Sequence, residues 1–274
     1  MKPTIPLLIL LLAFVPFESP AGLAERDWQI DGVKRQALVW TPEQKPSNPA
    51  GYPLVFAFHG HGGSMRNAAR AFSIHTKWPG AVVVYMQGLD TPGRLTDPLG
   101  RLPGWQTGIG DQGDRDLKFF DAVLASVEKD LPIDKTRVYC TGHSNGGSFT
   151  YLLWAARGDI FAAVAPSAAV DGKDLRRFKP KPVLHLAGDS DPLVKFDWQR
   201  EMIDALRKLN HCTDGKPWDD EEGCTIYESP GGTPVVAAIH KGGHRFDAKE
   251  PELIIKFFKE HTLPAKNQGK RLAG

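Results

Sequence analysis

The sequence carries almost no net charge. Its 34 lysines and arginines are matched by 32 aspartates and glutamates, giving +2 over 274 residues. The basic residues are spread along the chain, so there is no electrostatic footprint for nucleic acid. Nor is there an apolar run of the ~20 residues needed to cross a bilayer; the longest, Ile5 to Phe17, is shorter and broken by two prolines. Nothing repeats, and no second domain or appended binding module is visible. Cysteine is scarce, at three residues, and none lies near the N-terminus to take a lipid. His59 and His61 stand one residue apart with no Cys, Asp or Glu close by, a poor ligand set for zinc. No metal or other cofactor is expected.

What is present begins with a leader. Lys2 precedes the short apolar stretch, and Gly22-Leu23-Ala24 offers the small residues of a cleavage site, so residues 1–24 read as a secretory signal and 25–274 as one domain. A secreted protein with no membrane attachment after cleavage is expected, its thiols exposed to an oxidising compartment. Cys212 and Cys224 flank the polar segment "TDGKPWDDEEG", and a disulfide between them is expected to pin it. Cys140, inside an apolar run, reads as a buried free thiol.

Short apolar runs without polar alternation recur at 54–58, 81–85, 138–141, 183–187 and 235–240, a pattern that suits strands covered on both faces. Helical periodicity falls between them. Leu117, Phe120, Val123, Leu124, Val127 and Leu131 make one stripe ending at Pro132, and helices also fit 147–157, 197–209 and 250–261. Asp31-Gly32 separates two β-prone runs as an opening hairpin. The alternation predicts an α/β fold with a mostly parallel, doubly wound sheet and helices on both faces.

Gly142-His143-Ser144-Asn145-Gly146 fits Gly-x-Ser-x-Gly, with the strand-like "RVYCT" before it and the helix-like "SFTYLLWAAR" after it. A nucleophile elbow needs that context, because the strained serine tolerates only small neighbours. Ser144 is therefore the expected nucleophile. It needs a base to take its proton and an acid to orient the base. Asp189 and Asp191 both follow the apolar run "PVLHLAG"; Asp191 is preferred, Asp189 being better placed to cap the turn. Of the four later histidines, His211, His240, His244 and His261, the base is read as His244, in the glycine-rich "HKGGHRF" between the last strand and last helix. The backbone N–H groups of His61, in "HGHGGS", and Asn145 are the expected oxyanion donors. The unpatterned stretch 88–113 is a functional loop by its length; its Trp105 either stacks on substrate or pins the loop. Trp105, His143 and Phe246 are the expected substrate-contacting residues.

Three blocks, "HGHGGS", "DRDLKFFDAVLASVEKDLPIDKTRVYCTGHSNGGSFTYLLW" and "GDSDPLV", in that order, resemble the secreted polyhydroxybutyrate depolymerase and feruloyl esterase family of α/β hydrolases. The resemblance implies a cofactor-free serine esterase whose triad maps to Ser144, Asp191 and His244, with the HGxGG loop supplying the oxyanion hole. The chain departs from many members after the histidine, where Arg245-Phe246-Asp247 replaces a Trp-Pro-Gly stretch; this alters one wall of the substrate site. An ester substrate is thus implied more firmly than any particular polymer. An acyltransferase with the same triad would instead form ester product from an added alcohol, and a non-catalytic binding protein would lack a triad member.

Overall fold

The computed structural model describes residues 22–171 and 173–264; most of the expected leader lies outside them. The strands are β1 (Gly22–Ile30), β2 (Val33–Thr41), β3 (Tyr52–Phe58), β4 (Val82–Met86), β5 (Leu89–Asp90) and β6 (Pro103–Gly104), then β7 (Ile133–His143), β8 (Ala163–Ser167), β9 (Val183–Gly188), β10 (Gly215–Pro217), β11 (Cys224–Tyr227) and β12 (Val235–His240). The helices are α1 (Met65–Phe72), α2 (Ile74–Lys77), α3 (Arg115–Asp130), α4 (Asn145–Arg157), α5 (Phe196–Leu209) and α6 (Glu250–Lys259). The main sheet runs β1-β2-β4-β3-β7-β8-β9-β12-β11-β10, and β5 pairs only with β6.

From β4 to β12 every neighbouring pair is parallel. Antiparallel strands close both edges. Successive residues of the central strands enter opposite cores, as a pleated sheet covered on both sides requires. Leu54, Phe56 and Phe58 pack with Phe120 of α3, Phe149 of α4 and Met202 of α5. Val55 and Ala57 pack with Phe72, Ile74 and Phe258 of α1, α2 and α6. The strand order reverses at β3, with β4 on one side and β7 on the other. Open α/β sheets form their ligand crevice at the carboxyl ends of strands at such a point.

The opening hairpin turns at Asp31 and Gly32, both at positive φ (49° and 80°), the geometry of a two-residue type I′ turn. Its first strand begins inside the expected leader: Gly22, Leu23 and Ala24 pair with Thr41, Trp40 and Val39. A cut after Ala24 would remove three residues of β1. Strand β7 starts at Ile133, earlier than its apolar run suggested, because Tyr52 pairs with Ile133 ahead of a register shift. Strand β8, "AVAPS", gave little sequence signal, since its residues are small and include Pro166.

The expected disulfide is absent. All three cysteines are free thiols. Cys212 packs against the core that holds Phe56 and Met202, whereas Cys224 belongs to the core on the opposite face of the sheet. Cys140 is buried, and burial pushes its thiol well up. Thiol titration of denatured, unreduced protein is expected to count three; a count of one would show that the pair does form.

An ion pair is sunk deep in the fold. The Arg35 guanidinium meets Asp116 Oδ1 at 2.7 Å, with both side chains at 1% exposure or less. Arg35 also donates to the carbonyls of Arg115 and Gln87, and its guanidinium carbon lies 4.2 Å over the Phe119 ring. Asp116 Oδ2 accepts the Gln106 N–H at 2.9 Å, and Gln106 Oε1 accepts the Asp116 N–H at 3.0 Å. This pair fastens the long loop to the start of α3.

Candidate active site

Strand β7 delivers Ser144 to the crevice. Its backbone sits at φ 56°, ψ −121°, a strained conformation that turns the chain sharply from strand to helix. The surrounding glycines are sterically required. A Cβ at Gly142 would collide with the carbonyl of Gly146, and one at Gly146 with the carbonyls of Phe58 and His59. The Ser144 N–H is held by the carbonyl of Ser167 at 2.9 Å. Helix α4 starts at the next residue, so the N–H groups of its first turn lack intrahelical acceptors and face the serine's surroundings.

The structure brings Ser144, His244 and Asp191 into one hydrogen-bonded line. His244 Nε2 lies 2.8 Å from Ser144 Oγ, and His244 Nδ1 lies 2.8 Å from Asp191 Oδ2. The carboxylate can only accept from Nδ1–H, which leaves Nε2 to accept from the serine hydroxyl. Asp191 is buried, and its Oδ1 accepts the N–H groups of Leu193 (2.9 Å) and Val194 (3.0 Å). Its Oδ2 also accepts from Gln199 Nε2 at 3.2 Å. Asp189 points away, to Lys241 Nζ at 2.8 Å and the Gly242 N–H at 3.2 Å. The other late histidines are placed elsewhere. His211 is exposed after α5, His240 lies 3.9 Å from Glu250, and His261 Nδ1 bonds the Phe257 carbonyl.

The loop after β3 runs beside the serine; a Cβ on Gly60 would stand 3.5 Å from that of Ser144. Within it the Gly62 N–H is taken by Pro103 O and the Gly63 N–H by Gly60 O. The His61 ring bonds Asp97 at 3.2 Å. His59 is buried, with Nδ1 on the Gly60 carbonyl and Nε2 accepting the Gly88 N–H. Both histidines thus tie loops together. The segment between Pro92 and Pro103 exposes Leu95, Leu99 and Leu102 next to this loop.

Trp105 does not face the crevice, which corrects its expected place among the substrate contacts. It is fully buried, stacked on Phe149 at 5.0 Å, with Nε1 donating to the His59 carbonyl. The Asn145 side chain grips its backbone from both sides, at 2.7 Å and 3.1 Å. Loop composition could not distinguish this pin from a substrate platform. His143 and Phe246 do lie beside the base: the His143 ring is 5.1 Å from that of His244, and Phe246 meets His143 edge-on at 5.8 Å while packing on Phe72 at 4.3 Å. Arg245 folds back onto its own loop, through Lys241 O and Asp247.

Several imidazoles here are kept neutral. Burial pushes His59 and His185 down to about 4, and burial together with nearby His244 pushes His143 down to about 3. The unfolded chain protonates all three near the ordinary value of 6.5, so protons favour unfolding and stability rises with pH through that range. Buried Glu250 acts in the opposite sense. Burial lifts its carboxyl from 4.5 to about 8, so the stability it confers when protonated is lost as pH climbs toward 8. Three histidines outweigh one glutamate below 6.5, and above it Glu250 prevails. The urea midpoint is expected to peak at about pH 7 and to fall on either side; a steady rise through pH 8 would contradict this.

Comparison with known proteins agrees with the geometry. A family profile described as the prolyl oligopeptidase family matches residues 105–179, from the buried tryptophan through the elbow to the end of β8 and beyond. The probable feruloyl esterase C of Aspergillus niger is 30% identical over 228 residues, covering 81% of this chain and 80% of the relative. The feruloyl esterase C of Emericella nidulans is 29% identical, covering 88% and 89%. Among solved structures, the acetyl xylan esterase of Aspergillus awamori superposes with a TM-score of 0.65 at 11% identity, over 86% of this chain and 99% of its own. An S-formylglutathione hydrolase of Staphylococcus aureus superposes at 0.60 and 15% identity, over 90% and 99%. With strand order, elbow and relatives all in agreement, the chain belongs to the feruloyl esterase C family of α/β hydrolases and is a carboxylic ester hydrolase.

Proposed function

We propose that Ser144 is the nucleophile, His244 the general base and Asp191 the orienting acid of an acyl-enzyme esterase. The reading rests on the unbroken line of two 2.8 Å contacts from Ser144 through His244 to a buried carboxylate. Ser144 Oγ attacks the ester carbonyl as its proton passes to His244 Nε2. The N–H groups of His61 and Asn145 receive the oxyanion. The imidazolium then gives its proton to the leaving alcohol, and water, activated by the same nitrogen, releases the acid. Throughout, Asp191 holds Nδ1–H and stabilises the charged imidazole.

The proposed substrates are feruloyl esters. The named relatives support this choice, and the leucine-bearing rim suits an apolar acyl group better than a charged one. His143 and Phe246 are proposed as the opposite wall. Export is proposed from the leader-like N-terminus. A fluorophosphonate probe is expected to label the protein once, on Ser144, and methyl ferulate to give a higher kcat/KM than acetyl, butyryl or hydroxybutyrate-oligomer esters. Labelling at another residue would overturn the assignment of the nucleophile, and preference for the oligomers would overturn that of the substrate.

A further inference from the structure

We infer that Tyr151, His185 and Gln199 are positioning residues for the reaction, holding the carboxylate of Asp191 through one hydrogen-bonded line that crosses the core. The inference rests on the reading of Asp191 as the orienting acid.

The line starts on α4, the helix that follows the nucleophile. Tyr151 OH lies 2.6 Å from His185 Nδ1 on β9, His185 Nε2 lies 3.3 Å from Gln199 Oε1 on α5, and Gln199 Nε2 lies 3.2 Å from Asp191 Oδ2. Tyr151, His185 and Gln199 are fully buried. Donors and acceptors can be assigned along its whole length. Gln199 Nε2 also lies 2.7 Å from the Val194 carbonyl, so it is the amide nitrogen, donating to Asp191 and to Val194. Its oxygen must then accept, which puts the proton of His185 on Nε2. His185 Nδ1 is left as an acceptor for the Tyr151 hydroxyl. Burial keeps that imidazole neutral, in agreement with this tautomer.

Three polar side chains inside an apolar core are costly unless every group is paired. Here each is paired, and the pairing leads to the oxygen that receives His244 Nδ1–H. Backbone N–H groups already hold Oδ1; Gln199 holds Oδ2, so the carboxylate cannot rotate. A carboxylate free to turn would let the imidazole drift, and small misplacements at a reacting centre lower turnover severely. The line also links the helix behind the nucleophile to the loop that carries the acid.

The test is kinetic. Gln199→Met keeps the length and removes the donors; kcat is expected to fall about tenfold with KM nearly unchanged. Tyr151→Phe deletes one oxygen at the far end and is expected to lower kcat by about threefold and to shift the low-field Nδ1–H proton resonance of His244. Gln199→Glu supplies a rescue: while neutral it can donate to Asp191 and accept from His185, so kcat should approach wild type at mildly acidic pH and fall as the carboxyl ionises. General loss of stability would not produce that pH split. Wild-type kcat in folded Gln199→Met, or an unmoved resonance and kcat in Tyr151→Phe, would overturn the inference. Asp191→Asn separates the two failures. Full activity there removes the triad reading itself, whereas an inactive Asp191→Asn beside an unaffected Gln199→Met removes only the positioning line.

Discussion

Ser144→Ala is expected to lower kcat toward p-nitrophenyl acetate by about 10⁴-fold or more, with the fold intact. The magnitude follows from what the side chain does. In the proposed triad the Ser144 hydroxyl, 2.8 Å from His244 Nε2, is the nucleophile that the base activates, and alanine supplies none. What remains is transition-state binding by the proposed oxyanion donors, so the variant should keep a small rate above that of water. Stability should barely change, because the strained φ of 56° belongs to the backbone and alanine is no larger than serine. Steady-state kinetics with a thermal melt on the same sample reads both outcomes. Turnover within tenfold of wild type would mean that another group attacks the ester.

The second large effect concerns stability. Asp116→Asn is expected to destabilise the fold by about 3–5 kcal/mol, because breaking a buried pair leaves Arg35 charged and uncompensated. For a domain of this size that lowers Tm by roughly 10 °C. Burial already holds the Arg35 guanidinium below its ordinary range, opposed chiefly by Asp116. The damage should also reach the crevice. Asp116 holds Gln106 in place, and Gln106 follows the tryptophan that Asn145 grips, so loosening this joint frees the loop against the elbow. A double variant, Arg35→Met with Asp116→Leu, should recover much of the lost stability. Calorimetry decides: an unchanged Tm in Asp116→Asn would show that the pair is not what fastens the loop.

The doubly wound sheet was readable because burial on both faces forces unbroken apolar strands, as in "PLVFAF" and "AVVVYM". Strand β8 gives little signal because its residues are short and include Pro166, and β10 and β11 because they are short antiparallel strands at one margin of the sheet, defined by their partners. At the site, the elbow announced itself through glycines that no other residue can replace. Asp191 and His244, expected from loops at strand ends, lie in line with Ser144. Side-chain direction was not legible. Trp105 turned inward, and Cys212 and Cys224 fell on opposite faces, since distance along the chain says nothing about which side of a sheet a residue reaches. Tyr151, His185 and Gln199 come from three separate elements; their one sequence signal is a polar residue interrupting an apolar run, as in "VLHLAG".

The leucine-bearing segment is attached to the body at its base. Thr91 and Gly93 pair with Leu102 and Asp97, Pro103 receives the Gly62 N–H, and Asp97 collects the N–H groups of Arg101 and Leu102 together with the His61 ring. Between these ties the bonds are internal to the segment: the Thr96 and Asp97 N–H groups meet the Gly93 carbonyl, and the Gly100 N–H that of Asp97. Mutation can therefore rewrite Arg94 to Leu99 under selection for a new acyl group without touching the loop after β3, provided that Asp97 is kept. In evolutionary terms the segment is an exchangeable cassette with one fixed pin, and homologues with different substrates are expected to diverge there first.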